Sequence, residues 1–169
     1  MHARRGITLM ETVIGTLLVG GVLAGTLGVI GPTARATQLA GDEVLASYLA
    51  NELLAEIEAQ PYEDPDITGR VVGPEPGEKT GNRSRFNDVD DYRAWSARPQ
   101  SAAGVAHAGV PDYWNISVTV EIVNTKSLAP DGVTDTGLKL VKVIVTKYGV
   151  VLANRGILRS RFFDTVWSE

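Results

Sequence analysis

The sequence predicts an α+β protein in which one long N-terminal helix packs on a small antiparallel sheet. Three observations predict this class. The chain begins with a long uncharged apolar stretch, continues with an amphipathic helical pattern, and ends with segments in which apolar and polar residues alternate. A helical period followed by strand periods is typical of folds whose helices and strands occupy separate parts of the chain.

Composition excludes several functional classes. The 169 residues suffice for one domain plus an anchor. The net charge of −4 argues against a nucleic-acid partner, because such proteins usually carry a basic patch. The chain has no cysteine and only two histidines, so it lacks a disulfide framework, a Cys nucleophile and a multi-His metal centre. We find no catalytic motif either, and therefore expect a protein that is not an enzyme and needs no organic cofactor.

The first predicted element, residues 7–31, is the membrane-spanning half of one long helix. Residues 12–31 contain no charged side chain, and about 20 apolar residues are what a helix needs to cross the hydrocarbon core. Arg4 and Arg5 precede this stretch, and the next basic residue is Arg35. The positive-inside rule therefore places the N-terminus in the cytoplasm and the rest of the chain outside.

Glu11 stands at the entrance to this apolar stretch. A carboxylate in the middle of a membrane costs roughly 2.5–3.5 kcal/mol on insertion scales, so an acid here is a hypothesis about function. One explanation is that an acid in the first turn interacts favourably with the helix dipole. A second is that a buried carboxylate is tolerated when a positive charge pairs with it. The two explanations are compatible.

The segment Gly6-Ile7-Thr8-Leu9-Met10-Glu11 resembles the processing site of type IV pilins and of the pseudopilins of type II secretion systems. The resemblance implies that a membrane-embedded prepilin peptidase removes the leader 1–6 by cutting after Gly6 and then methylates Ile7. The family usually has Phe where this chain has Ile7. The resemblance also implies that Glu11 neutralises the N-terminal amine of a neighbouring subunit and so fixes the helix register in a filament.

This family resemblance implies a structural role, as a subunit of a type IV pilus or a type II secretion pseudopilus, and most specifically as a minor pilin-like protein. The implied partners are the prepilin peptidase, other pilin or pseudopilin subunits, the inner-membrane assembly platform and membrane lipid. The implied location is the bacterial inner membrane, crossed once with the N-terminus in the cytoplasm, and afterwards a periplasmic or extracellular filament.

The N-terminus also fits two rival hypotheses. Arg4-Arg5 fits a twin-arginine export signal cut near Ala34-Arg35-Ala36, which would release a soluble binding or structural protein beginning near Thr37. Alternatively, the helix anchors a surface protein that never polymerises. An ordinary secretory signal fits less well, because its apolar region is typically about 7–15 residues long.

Residues 32–60 predict an amphipathic continuation of the same helix. Pro32 marks a potential kink or break near the membrane interface. Beyond it, apolar residues recur at spacings of three or four, at Ala46, Leu49, Leu53 and Ile57. That period is typical of a helix that buries one face, so we expect this stripe to pack on a sheet. Gln60-Pro61 predicts the end of the helix.

Residues 61–169 are the expected extracytoplasmic globular domain. Residues 61–112 are rich in Pro, Gly, Asp and Asn without sustained periodicity, which predicts a long irregular connection. Residues 113–160 predict an antiparallel sheet of three strands, at Trp114–Ile122, Leu138–Lys147 and roughly Val150–Arg159. Such a meander needs a cover for its apolar face, which the amphipathic helix would supply.

An Asp-rich segment at residues 85–92 is the candidate metal site. Carboxylate oxygens are typical calcium ligands, although the EF-hand spacing is absent. Some pseudopilins hold calcium in a loop of this domain, so the resemblance adds to this hypothesis. The candidate ligands are Asp88, Asp90 and Asp91. The alternative is that these acids cap turns and pair with Arg83, Arg85 or Arg93.

Three further side chains are of types that often serve in binding. We expect His107 to be an ordinary loop residue, because no other potential ligand accompanies it in the sequence. We expect Trp95 and Trp114 to lie in the core or over the sheet rather than to form a ligand platform.

Overall fold

A computed structural model describes residues 8–65, 73–78, 82–131 and 135–162. These residues form the helix α1 (Leu9–Glu58), a short 3₁₀ helix (Asp90–Tyr92) and the strands β1 (Ser96–Ala97), β2 (Trp114–Ile122), β3 (Leu138–Lys147) and β4 (Val150–Ser160). The α+β class is thereby confirmed. The chain divides into two units, with the boundary between Asp42 and Glu43.

In the first unit, α1 exposes its apolar side chains on every side. All residues from Thr8 to Gly41 are exposed, and Leu17 keeps 70% of its surface accessible. The helix continues through Pro32 instead of ending there. It is long and apolar enough to cross a membrane, which is compatible with a single-pass anchor and also with a signal sequence.

The threonines of this segment satisfy their hydroxyl groups within the helix. Thr16 Oγ1 donates to the carbonyl oxygen of Thr12 at 3.0 Å, and Thr26 Oγ1 donates to that of Val22 at 3.0 Å. A hydroxyl without a partner is costly in an apolar medium. Because these hydroxyls are bonded locally, the threonines are compatible with an apolar environment around the helix.

In the second unit, α1 buries one face against the sheet. The buried residues recur at helical spacing, as Ala46, Leu49, Ala50, Leu53, Leu54 and Ile57. They share one hydrophobic core with the strands. The predicted apolar stripe is thus confirmed. The helix ends at Glu58, directly before the predicted stop at Gln60-Pro61.

The sheet is an antiparallel meander with the strand order β1-β2-β3-β4. The pairing of β2 with β3 runs from Trp114 opposite Lys147 to Ile122 opposite Lys139. Alternate residues of both strands face α1 and are buried, namely Trp114, Ile116, Val118, Val120, Val141, Val143 and Val145. The three predicted strands are confirmed. Trp114 and Trp95 are both buried, as expected.

Strand β1 lies within the segment predicted to be irregular, and it corrects that prediction. Ser96 and Ala97 pair with Ser117 and Ile116 at the outer edge of β2. Two residues are too few to show an alternating pattern, so the sequence carries no periodic signal for this strand. The pairing attaches the long connection to the sheet and covers part of the free edge of β2.

A buried ion pair attaches the same connection to α1. Arg83 donates from Nε and Nη2 to the two carboxylate oxygens of Glu56, at 2.7 and 2.8 Å, and only 4% of the Arg83 side chain is exposed. The Tyr92 hydroxyl donates to Glu56 Oε1 at 2.9 Å, and the Arg83 guanidinium carbon lies 4.4 Å from the Trp95 ring centroid. Two parallel charged hydrogen bonds give this contact both strength and a fixed geometry.

We predict that Glu56→Gln lowers the free energy of unfolding by about 2–4 kcal/mol, because it leaves the Arg83 charge buried without its counter-ion. Burial opposes ionisation of Glu56, but the hydrogen bonds and charge of Arg83 outweigh it and lower the pKa of the carboxyl. Urea denaturation of the full chain in detergent measures the change. The exposed Glu58→Gln is the matched control and should change stability by less than about 0.5 kcal/mol. Equal effects of the two substitutions would contradict the role of the pair.

Candidate functional site

Of the three residues predicted to act in processing and assembly, the structure describes Glu11, whereas Gly6 and Ile7 lie outside the described residues. Glu11 is exposed in the first turn of α1. Its backbone N–H donates to the carbonyl oxygen of Thr8 at 3.0 Å and to Thr8 Oγ1 at 3.3 Å. Thr8 therefore caps the helix, and Thr8 and Glu11 have the spacing of a capping box. That spacing is visible in the sequence and could have predicted where the helix begins.

The local environment of Glu11 supports a favourable interaction with the helix dipole. The first turn of a helix carries free backbone N–H groups, which favour a negative charge. No ion pair among the described residues involves Glu11. Pairing of Glu11 with a positive charge therefore requires a group outside the described part of this chain.

The three candidate calcium ligands engage different partners in the described structure. Asp90 Oδ2 accepts a hydrogen bond from Lys139 Nζ at 2.8 Å. Asp88 Oδ1 accepts the N–H of Asp91 at 3.0 Å, and Asp91 Oδ2 accepts the N–H of Asn87 at 2.7 Å. Asp88 and Asp91 thus cap the turn that leads into the 3₁₀ helix, which supports the capping alternative. Asp90 instead points to the core side of the sheet.

Two of the three arginines expected to pair with these acids have other partners, whereas the charge of Arg93 acts on Asp90. Arg83 binds Glu56, and Arg85 donates to the carbonyl oxygen of Gly77 at 3.2 Å. The cation that reaches the Asp-rich segment is Lys139 of β3, 49 residues away from Asp90 in the sequence. Proximity along the chain favoured the arginines, whereas the sheet brings in a distant lysine.

Among the described residues of β3, Lys139 is the basic residue that is buried together with the valines. Its side chain is 2% exposed. Besides Asp90, Nζ donates to the carbonyl oxygen of Tyr62 and lies 4.0 Å from the centroid of its ring. The Tyr62 hydroxyl donates to Asp135 Oδ1 at 2.8 Å, and burial together with this carboxylate raises the pKa of Tyr62. These contacts fix the chain that follows α1 against the start of β3.

A second acidic group forms beside this turn. Carboxylate oxygens of Glu75, Glu78 and Asp91 lie within 4.8 Å of one another, and these are the described residues best placed to hold a cation. Burial raises the pKa of Asp91 to about 6, with Glu78 adding to the effect. Burial and the charges of Asp91 and Asp90 raise the pKa of Asp88 to about 7. The sequence did not indicate Glu75 and Glu78 as partners of these acids, because a stretch without periodicity separates them from the Asp-rich segment.

His107 lies in a loop as expected, and its Nε2 is 3.8 Å from Glu52 Oε1. Neither residue belongs to the acidic group.

Comparison with known protein families, curated proteins and solved structures finds no match for this chain. The fold by itself defines an α+β protein whose N-terminal helix is apolar and exposed in one unit and covered by a sheet in the next.

We predict that Asp88→Asn raises the stability of the protein at pH 8 and flattens its dependence on pH. The unfolded Asp88 has a pKa of about 3.9, whereas the folded value is about 7. Between these values the folded state holds the proton more tightly, so the contribution of Asp88 is fully present below about pH 4 and is lost as the pH rises to about 7. Asparagine keeps the acceptor for the Asp91 N–H and carries no charge.

Urea denaturation between pH 4.5 and pH 8 measures this effect. We expect Asp88→Asn to gain about 1–2 kcal/mol over the wild type at pH 8 and nearly nothing at pH 4.5. The control is Asp112→Asn, since the Asp112 side chain is largely exposed. A uniform gain at all pH values, or a loss at pH 8, would contradict the assigned burial of this acid.

Proposed function

We propose that the chain is a pilin-like structural subunit of a type IV pilus or a type II secretion pseudopilus, and more specifically a minor one. The observation that supports this most is the arrangement of α1. One uninterrupted helix exposes an apolar surface in its first unit and covers a four-stranded antiparallel meander in its second. Such a helix offers a surface through which copies can associate, while the sheet domain provides a separate folded unit.

The charge at the start of the helix supports the proposed processing. A cut after Gly6 creates an α-amino group on Ile7, and such groups have a reference pKa of about 7.7–8.0. The amine is therefore mostly protonated at neutral pH. A neighbouring subunit that places Glu11 against this amine cancels two charges that would each be costly in an apolar filament core.

Two glycines in α1 support close packing between helices. A Cβ atom built on Gly21 or Gly25 would meet no heavy atom within 4 Å. The four-residue spacing places both on one side of the helix, and small residues at this spacing let helices approach closely in a membrane. The surface is open in the single chain, so another helix has room to pack there.

The two rival functions predict different mature chains. A protein released by a twin-arginine signal would begin near Thr37, and a simple anchored protein would keep Met1. In the structure, α1 continues without a break past residues 34–37, so the apolar and amphipathic parts belong to one element. This continuity supports a mature protein that retains both parts.

Mass spectrometry of the mature N-terminus tests the proposal. The chain is expressed together with a prepilin peptidase and recovered from membranes. We predict that its first residue is Ile7 and that its N-terminus carries one methyl group. Gly6→Leu is the control and should leave the leader attached, because a large side chain fills the cleavage position. A wild-type chain beginning near Thr37, or retaining Met1, would overturn the proposal.

We predict that Glu11→Ala leaves processing intact and lowers incorporation into filaments about tenfold or more, since losing a buried ion pair costs well above 1.4 kcal/mol. The measurement is the fraction of mature chain in sheared filaments, relative to the membrane fraction. The exposed Glu43→Ala is a control in the second unit and should assemble normally. Normal incorporation of Glu11→Ala would show that assembly does not depend on this pairing.

A further inference from the structure

Exposed apolar side chains concentrate at one end of the second unit. In the described part of residues 43–162, ten large apolar or aromatic side chains are exposed. Six of them lie at this end, namely Val44, Tyr48, Tyr113, Tyr148, Val150 and Val151. Exposed apolar side chains that gather at one end of a unit mark an interaction site more often than scattered single residues do.

Contacts between α1 and β4 identify this end as the one at which the helix enters the unit. Arg159 Nη2 donates to the carbonyl oxygen of Gln60 at 2.7 Å, and Arg155 Nη2 donates to Ser47 Oγ at 3.2 Å. Along β4, a step back towards Val150 therefore corresponds to a step back along α1 towards Glu43. The turn between β3 and β4 lies beside the start of the unit.

Two tyrosines form the centre of this surface. The rings of Tyr113 and Tyr148 are nearly parallel, with centroids 4.1 Å apart, and 70% of Tyr148 is exposed. Lys147 Nζ lies 5.9 Å from the Tyr113 ring centroid and 5.7 Å from that of Trp114. Tyrosine has an apolar ring and a polar end, and lysine has an apolar stem and a charged end, so both suit a boundary between apolar and aqueous media.

The backbone at this turn is unfavourable for the residue that occupies it. Tyr148 has a φ of 52° and Gly149 a φ of 78°. Hairpin turns with two such residues favour Asn followed by Gly, because a bulky side chain at positive φ is strained by about 1–2 kcal/mol. Turn formation therefore does not explain why a tyrosine occupies this strained and exposed position. The strain indicates instead that the tyrosine side chain has a function.

We call the part of this surface around the turn the tyrosine tip (Tyr113, Tyr148, Val150 and Val151). We propose that the tyrosine tip lies in the headgroup layer of the membrane that α1 enters. The inference rests on the membrane anchor of the proposed function. Only eleven residues, 32–42, separate the uncharged run from Glu43, so the chain tethers the entry end of the unit near the bilayer. Tyrosine is enriched at membrane interfaces.

The ligand is thus a lipid headgroup layer rather than a second protein. At the tip, the tyrosine rings occupy the boundary between headgroups and acyl chains, and Val150 and Val151, which project from opposite faces of β4, lie beside them. Lys147 extends its charged end towards lipid phosphates, as lysines near an interface do. Docking holds the tyrosine tip of the second unit against the bilayer before the subunit leaves the membrane.

Lipid quenching in nanodiscs that hold one full-length chain tests this proposal. The chain has no cysteine, so one substitution gives one fluorescent label. Labels are placed at Val150→Cys in the tip, at Leu128→Cys as an exposed control beyond the far end of β2, and at Val19→Cys in the apolar run. The quencher is a spin label attached to the lipid headgroup region or acyl chain.

We expect acyl-chain spin labels to quench the fluorescent label at Val19. Headgroup spin labels should quench the label at Val150 at least about threefold more strongly than the label at Leu128. The variant Tyr113→Ser/Tyr148→Asn should lose this difference between Val150 and Leu128. Asn suits the positive φ of the turn, so the variant should fold, as its melting curve will confirm. Leu158→Ser, exposed away from the turn, is the matched control and should change nothing.

The remaining outcomes overturn the inference in distinguishable ways. If Val19 is quenched but Val150 is quenched no more than Leu128, the anchor stands and the tip does not dock. If the tyrosine variant keeps full quenching at Val150, the tyrosines do not hold the tip at the membrane. If the label at Val150 is quenched no more than that at Leu128 in discs with one chain, and its fluorescence changes only in discs that hold two chains, the occupant is a second chain. If Val19 itself is not quenched, the membrane anchor fails, and both proposals fail with it.

Discussion

The apolar surface of α1 is the constraint on which the rest of the structure depends. From Ala46 to Ile57, one face of the helix is buried by β2, β3 and the loop that follows the helix. Up to Gly41, the same helix has no such cover in the described chain, and its leucines and valines are exposed. Apolar surface of this extent is unfavourable in water, at roughly 25 cal/mol for each Å². Lipid or other helices would remove the surface of the first unit from water, whereas the second unit supplies its own sheet.

Two buried ionic contacts hold the second unit in register. Arg83 joins the long connection to Glu56 of α1, and Lys139 joins the Asp-rich segment to the inner face of β3. Buried ion pairs add less net stability than their geometry suggests, because both charges lose water. A rearrangement that separates either pair inside the protein leaves a charge buried alone, which favours the observed path of this connection with little regular structure. The neighbouring acids Asp88 and Asp91 are then carried into a desolvated position, which explains their raised pKa values.

Periodicity predicted the elements that are long, and nothing shorter. The stripe from Ala46 to Ile57 and the alternation in β2 depend on local spacing, which the sequence displays directly. Strand β1 depends on pairing with Ser117, and Lys139 depends on a partner 49 residues away, so neither has a local signal. The resemblance to a prepilin processing site, including Glu11, rests on six consecutive residues, so the sequence alone could suggest it, and it stays a prediction. The acidic group has no such local signal, since Glu75, Glu78 and Asp91 meet only through the folding of an irregular segment.

The proposed function requires that the first unit of α1 lies in a membrane while the second unit lies outside the cytoplasm. Cysteine accessibility in whole cells tests this arrangement, because the chain contains no cysteine of its own. With a membrane-impermeant maleimide, we expect labelling of Val105→Cys in whole cells whose outer membrane has been permeabilised. We expect no labelling of Leu23→Cys until detergent is added. Labelling of Leu23→Cys without detergent, or of Val105→Cys only after lysis of the inner membrane, would contradict the account.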